Sequence, residues 1–180
     1  MRTRLMRISL LTPLLLTLFF VIAGNAFGQQ IDPSALYNII ARHSERCLEV
    51  SGDALRNGDL VIQRDCDERL PNQKWKIIPA ENGYYKIIAN YSGKCLDVFG
   101  GIFSTGNGVI VEQWDCNAAA NQRWWLWPIG NDYYKIQARH SNSFLDISGG
   151  PGATGNNIKA QQWQYVDGSN QVFRLTVARR

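Results

Sequence analysis

The sequence has few of the residues on which enzymes and metalloproteins usually depend. It contains two histidines, His43 and His140, and none of its four cysteines stands at the close spacing of a zinc-binding pair. It has no Gly-x-Ser-x-Gly motif, no histidine pair at metal-ligand spacing and no phosphate-binding loop. We therefore expect no catalytic site, no cofactor and no metal centre.

Apolar residues at helical spacing are also scarce. After residue 28, no stretch of helix length repeats its apolar residues at a period of about 3.6. The segments Tyr37–Ala41, Tyr85–Ala89 and Tyr134–Ala138 instead alternate apolar and less apolar residues, which is typical of half-buried strands. Turn-forming residues, such as those at Asn57–Gly58 and Gly149–Gly152, separate the strand-like segments. The sequence predicts an all-β protein.

The first residues have the organisation of an export signal. Three arginines precede an apolar run, Ile8–Ile22, and small residues follow as far as Gly28. A transmembrane anchor is the alternative, but the run is shorter than the roughly 20 apolar residues that a bilayer requires. We predict a signal peptide at residues 1–28, a short segment at 29–36, and a secreted product, periplasmic or extracellular, that does not stay inserted in a membrane.

Little net charge remains once this segment is removed. The full chain has 19 Lys and Arg against 15 Asp and Glu, and residues 1–28 hold three of the basic residues and none of the acids. The remainder therefore has 16 basic residues against 15 acids, a net charge of +1. A chain without a basic field does not attract nucleic acid or anionic membranes, so we expect neither as a partner.

An internal repeat of about 49 residues organises the rest of the chain. Its clearest element is a Gln-x-aromatic motif, at Gln73–Trp75, Gln122–Trp124 and Gln171–Phe173. Two more elements, a four-residue block and an asparagine after it, recur upstream of this motif in every unit. The copies are Cys47–Val50 with Asn57, Cys95–Val98 with Asn107, and Phe144–Ile147 with Asn156. We predict one domain at 37–180, made of units at about 37–83, 84–132 and 133–180, with no separate catalytic module.

The repeat bears on the cysteines, which by themselves permit three pairings. It favours Cys47 with Cys66 and Cys95 with Cys116, and an exported protein can keep such disulfides. Each would close a loop of about 20 residues, which is worth roughly 3 kcal/mol in the chain-entropy model.

The repeat also explains residues that would otherwise look special. Phe144 and Tyr165 occupy the cysteine positions of the third unit, so we predict an aromatic contact there. His43 and His140 correspond to Tyr91 of the second unit, so the histidine position is interpreted as structural. The motif aromatics occur in every unit and are interpreted as core residues. Trp125 should point to the face opposite Trp124.

The three Gln-x-aromatic motifs, the Cys-Leu-Asp-Val block at Cys95–Val98 and the run Val111–Cys116 resemble the ricin B-type lectins. The resemblance extends from about Tyr37 to Thr176. It implies a β-trefoil, in which three similar units close around a pseudo-threefold axis. It also implies one shallow sugar pocket in each unit.

Each pocket, by resemblance, combines an aspartate, a polar residue, an aromatic residue and the amides of the Asn-Gln-x-Trp motif. An aspartate accepts hydroxyl hydrogens, an amide donates and accepts, and an aromatic ring covers the apolar side of a pyranose. The third unit contains every element. Its residues are Asp146, Gln161, Trp163, Asn170 and Gln171. The second unit has a glutamate at the polar position. Its residues are Asp97, Glu112, Trp114, Asn121 and Gln122.

The first unit departs most from the pattern. Glu49 replaces the aspartate, Ile62 stands at the polar position and Arg64 stands where the aromatic residue is expected. We predict working pockets in the second and third units. The resemblance implies a non-catalytic lectin for galactose-type or xylan-type glycans. The alternative is a β-trefoil that serves as a protein-interaction or inhibitor module and has lost sugar binding. The sequence does not identify a protein partner.

Overall fold

The computed structural model describes residues 30–178, and the predicted signal peptide lies outside this range. Within it there are twelve β-strands and five 3₁₀ turns of three residues each, so the all-β prediction is confirmed. No helix in the described range is long and apolar enough to cross a membrane.

Each unit contributes four strands. The first unit contains β1 (Tyr37–Ala41), β2 (Arg46–Val50), β3 (Val61–Arg64) and β4 (Trp75–Pro79). The second contains β5 (Tyr85–Ala89), β6 (Cys95–Val98), β7 (Val111–Trp114) and β8 (Trp124–Gly130). The third contains β9 (Tyr133–Ala138), β10 (Phe144–Ile147), β11 (Ile158–Trp163) and β12 (Phe173–Val177). The 3₁₀ turns are Pro71–Gln73, Glu81–Gly83, Gly101–Phe103, Ala120–Gln122 and Ser169–Gln171.

Six strands form a closed antiparallel barrel. The pairings run from β1 to β12, β9, β8, β5 and β4, and β4 pairs with β1 again. The other six strands form the hairpins β2–β3, β6–β7 and β10–β11. These hairpins join one another through β3 and β11 and through two isolated bridges, Leu60–Glu112 and Ile110–Gln161. This is the predicted β-trefoil, and its closure removes the free edges of the barrel strands.

The core is built from equivalent positions of the three units. Trp75, Trp124 and Phe173 are fully buried, which confirms their interpretation as core residues. The indole N–H groups of the two tryptophans donate hydrogen bonds to the carbonyl oxygens of Leu48 and Leu96, at 3.1 and 3.0 Å. Each tryptophan therefore connects a barrel strand to a strand of its unit's hairpin, and its buried indole N–H has a hydrogen-bond acceptor.

Each unit has a buried glutamine whose side chain forms hydrogen bonds with a loop of another unit. Gln162 Nε2 donates to the carbonyl oxygens of Ser104 and Gly106, both at 2.8 Å, and its Oε1 accepts from Ser141 Oγ. Gln63 and Gln113 form equivalent hydrogen bonds. Because each of these glutamines donates to backbone carbonyl oxygens in a loop of another unit, the contacts hold the loops that surround the hairpins in place.

The histidines belong to the same junctions. The Nε2 atoms of His43 and His140 bond to the carbonyl oxygens of Ala153 and Ser104, at 3.0 and 3.1 Å. Burial lowers the pKa of both rings, which favours the neutral form. Their contacts agree with the structural role predicted from the repeat.

Each unit has a link at the same repeated position, which is a disulfide in the first two units and an aromatic contact in the third. Disulfides join Cys47 to Cys66 and Cys95 to Cys116, the pairing that the repeat favours. In the third unit the rings of Phe144 and Tyr165 lie 5.2 Å apart between centroids, so the predicted aromatic contact is confirmed. Each link holds the loop after a hairpin against the strand that begins the hairpin.

Candidate functional site

The residues predicted for the second and third units gather in two surface pockets. The second-unit pocket has a volume of about 530 Å³. Its wall includes Asp97, Glu112, Trp114 and Asn121. The third-unit pocket has a volume of about 620 Å³. Its wall includes Asp146, Gln161, Trp163 and Asn170. Gln122 and Gln171 are fully buried and lie behind the pockets rather than in their walls.

The strand register brings these side chains together. Asp97 lies opposite Glu112 across β6 and β7, and Asp146 lies opposite Gln161 across β10 and β11. Side chains two residues apart on a strand point to the same side, so the tryptophan that follows each polar residue faces the same pocket. A 3₁₀ turn before each motif aromatic then supplies the asparagine.

The third-unit pocket contains a fully paired acid. Asp146 Oδ1 accepts a hydrogen bond from Gln161 Nε2 at 2.9 Å, and its Oδ2 accepts one from Asn170 Nδ2 at 2.8 Å. Asn170 Nδ2 also donates to the carbonyl oxygen of Ile147 at 2.9 Å. Burial raises the pKa of Asp146, while the amide donors oppose that rise. The amides thus hold the carboxylate in one orientation, ready to accept hydroxyl hydrogens.

The second-unit pocket contains two acids. Asp97 Oδ2 accepts hydrogen bonds from Asn121 Nδ2 and Gln122 Nε2, both at 2.8 Å, and burial raises its pKa to about 6. Glu112 is 4% exposed, and its carboxylate accepts no hydrogen bond from the described part of the chain. Burial and the charge of Asp97 raise the pKa of Glu112 to about 7. The pair therefore carries an uncompensated charge near neutral pH.

Glu112→Gln should stabilise the protein at alkaline pH. A raised carboxyl pKa contributes stability that is complete below the ordinary pKa of 4.5 and is lost as the pH rises through about 7. Glutamine carries no charge and can donate to Asp97, as Gln161 does to Asp146. We expect a gain of about 2 kcal/mol at pH 8, or about 4–8 °C in melting temperature. Thermal melts followed by circular dichroism measure this gain.

The same melts at pH 4.5 provide the comparison, because the wild-type glutamate is then largely protonated and the gain should shrink to less than half. Gln161→Glu is the matched reverse change, and it should lower the melting temperature at pH 8. A pH-independent effect of Glu112→Gln would show that the charge of Glu112 is compensated in solution.

The first unit neutralises its own acid. Glu49 lies opposite Ile62, and Arg64 Nη1 is 3.5 Å from Glu49 Oε1. Gln73 Nε2 donates to Glu49 Oε2 at 2.7 Å, so both carboxylate oxygens have partners. Asn72 bonds to the carbonyl oxygen of Val50 rather than to the acid. A guanidinium thus occupies the place where the other two units present an indole ring.

Sequence reasoning missed an apolar rim on the second-unit pocket. Phe99, Ile102 and Phe103 line it, and Phe103 is 90% exposed. At the equivalent positions, 49 residues later, the third unit has Ser148, Pro151 and Gly152. Aligning the loop after each Cys-Leu-Asp-Val position would have revealed these residues, because large apolar side chains occur there in the second unit and not in the third.

A second aromatic cluster lies away from the pockets. The Trp125 ring packs 5.4 Å from the Tyr84 ring and 5.8 Å from the Trp127 ring, measured between centroids. Trp125 is half-buried on the face opposite the fully buried Trp124, as strand alternation predicts. Trp127 is exposed, and its indole N–H donates to Gln137 Oε1 at 2.9 Å. Of the three residues in this cluster, only Trp125 had been assigned a position from the sequence.

The fold and the repeated pockets define a β-trefoil of three Gln-x-aromatic units. Residues 35–173 match the model of the ricin-type β-trefoil lectin domain, and the chain belongs to that family. Domains of this family are typically non-catalytic lectin modules, so membership supports carbohydrate binding in general. No curated protein matches the chain.

Three solved structures illustrate the similarity. The designed threefold-symmetric protein ThreeFoil is 37% identical, with a TM-score of 0.73, and the match covers 78% of this chain and 97% of ThreeFoil. An exo-β-1,3-galactanase from Clostridium thermocellum is 29% identical, with a TM-score of 0.75; the match covers 83% of this chain and 31% of the enzyme. The ricin B-like lectin of Macrolepiota procera, in complex with lactose, shares the fold at 19% identity and a TM-score of 0.68, over 83% of this chain and 99% of the lectin.

Proposed function

We propose that this protein is a secreted, non-catalytic lectin that binds galactose-type or xylan-type glycans through its second-unit and third-unit pockets. In this proposal residues 1–28 are the export signal and residues 37–180 are the lectin domain. The observation that carries the proposal is the composition of the pockets. Each presents a buried acid, an amide and an accessible indole within one hollow.

The chemistry of these side chains suits a pyranose. Asp146 and Gln161 can accept and donate hydrogen bonds to neighbouring hydroxyls, while the Trp163 ring can cover the C–H face of the sugar. The galactanase and the lactose complex among the similar structures support the galactose-type class. The two disulfides support the extracellular or periplasmic location, because such bonds persist in oxidising compartments.

Binding to a panel of glycans tests this proposal. We expect single galactose or xylose units to bind at about millimolar dissociation constants, since shallow pockets yield only about 4 kcal/mol. Polymers or densely coated surfaces should bind at least about tenfold more tightly, because two pockets on one rigid body act together. A glycan array together with titrations of lactose and xylo-oligosaccharides measures both quantities.

Mannose and maltose serve as comparison sugars in the same panel. A blank array, combined with a stable protein partner in pull-down experiments, would contradict the lectin proposal and favour a protein-interaction module.

A further inference from the structure

The two pockets differ in the group that lies opposite the aspartate. Asp146 faces an amide that donates to it at 2.9 Å, whereas Asp97 faces the carboxylate of Glu112. On the basis of the proposed sugar-binding function, we infer that the second-unit pocket selects sugars with a free amine. The chemical class is the protonated 2-amino-2-deoxyhexoses and their oligomers, without an N-acetyl group. The third-unit pocket selects neutral sugars.

The second-unit pocket lacks a hydrogen-bond donor that the third-unit pocket has. In the third unit, Gln161 Nε2 supplies a hydrogen to Asp146 Oδ1. An ionised Glu112 in the same register can only accept hydrogen bonds. Its side chain is nearly fully buried, lines the pocket and has no hydrogen-bond donor within residues 30–178. An ammonium has three N–H donors, so one such group between Asp97 and Glu112 would satisfy both acids.

Among the described residues, no basic side chain balances the charges of Asp97 and Glu112. Glu112 faces Asp97 across the hairpin, and its Oε2 approaches Gly58 in the loop of the first unit. Asn121, which bonds to Asp97, is uncharged. Within the described residues no lysine or arginine forms an ion pair with either acid. The described part of the chain therefore supplies no cation to this pocket, which leaves that role open to a ligand.

The first unit shows how such an acid is balanced within the chain. Arg64 stands at the position of Trp114 and lies 3.5 Å from the carboxylate of Glu49. The second unit has an indole at this position, both acids line a pocket of about 530 Å³, and 41% of the surface of Trp114 is exposed. An aromatic face near the acids also favours a cation over a neutral group. A bound aminohexose would place its ammonium over the acids and its ring against the indole.

The preference can be measured with sugar pairs that differ in the amine alone. Galactosamine with N-acetylgalactosamine, and glucosamine with N-acetylglucosamine, are titrated at pH 7 into a chain with the third pocket silenced by Asp146→Ala. NMR shifts of the tryptophan indole signals report the millimolar binding. We expect the free amine of at least one pair to bind about tenfold more tightly than its acetylated partner, because a charge-assisted contact is gained.

The Glu112→Gln variant, made in the same background, is the matched change. It should reduce the affinity ratio of the pair to near one. The reciprocal variant, Gln161→Glu in a chain silenced by Asp97→Ala, should gain an amine preference in the third pocket. Equal affinity for both members of each pair in the first background overturns the amine selectivity and leaves the lectin proposal standing. Failure of every sugar and glycan polymer to bind the unmodified chain overturns both.

Discussion

Replacing Asp97 and Asp146 together by alanine should abolish retention of the protein on galactose-bearing and xylan matrices. Each aspartate accepts hydrogen bonds from pocket amides, so its orientation toward a sugar is fixed before binding. Alanine removes the carboxylate that the asparagine of each pocket orients, and with it the acceptor for sugar hydroxyls. Affinity chromatography of the purified variant measures the loss, with an expected decrease in retention of at least about a hundredfold, since both pockets fail together.

The fold should survive this change. The two asparagines that lose the aspartates keep second partners, because Asn121 also bonds to the carbonyl oxygen of Val98 and Asn170 to that of Ile147. Burial also raises the pKa of both acids, so each aspartate contributes little stability at neutral pH. Melting temperatures should therefore change by a few degrees at most.

Glu49→Ala is the matched control in the first unit. It removes the acid at the equivalent position, where Arg64 already neutralises the carboxylate and no indole faces it. We expect the retention of this variant to equal that of the unmodified protein. Retention of the double aspartate variant at the unmodified level, with the fold intact, would place the sugar site elsewhere on the molecule.

Removing the Cys95–Cys116 disulfide by changing both cysteines to alanine should cost about 3 kcal/mol of folding free energy. The bond closes a loop with a sequence separation of 21 residues. Releasing that loop increases the conformational entropy of the unfolded chain. For a domain of this size, the loss corresponds to a fall of about 6–12 °C in melting temperature. Calorimetry or denaturant unfolding under non-reducing conditions measures it.

The same variant should weaken the second pocket more than the third. Cys116 is followed by Asn117, which lines the second-unit pocket, so the disulfide anchors one wall of that pocket.

Phe144→Ala provides the stability comparison at the equivalent position of the third unit. Loss of its contact with Tyr165 should cost less, because an aromatic pair contributes about 0.5–1.5 kcal/mol beyond its buried area. Equal losses in the two variants would show that the aromatic contact stabilises its junction as much as the disulfide stabilises the equivalent one.

The repeat alone determined much of this protein. A motif that recurs every 49 residues identifies equivalent positions, and equivalent positions in a closed trefoil have equivalent surroundings. This is why Trp75, Trp124 and Phe173 could be assigned to the core, and why two cysteine pairs and one aromatic pair could be placed at one kind of junction. The grouping of Asp97 with Trp114, and of Asp146 with Trp163, followed from the same correspondence and the family resemblance.

The tertiary structure decided what differs between equivalent positions. Gln122 and Gln171 carry the repeated motif, yet they lie behind the pockets, because the 3₁₀ turn directs the preceding asparagines into the walls. Glu112 has no hydrogen-bond donor and no cationic partner among the described residues, whereas Gln161 at the equivalent position donates to Asp146. A sequence repeat specifies contacts within a unit. Contacts between units, such as those of Gln63, Gln113 and Gln162 with the loops of another unit, depend on how the three hairpins meet in the closed fold.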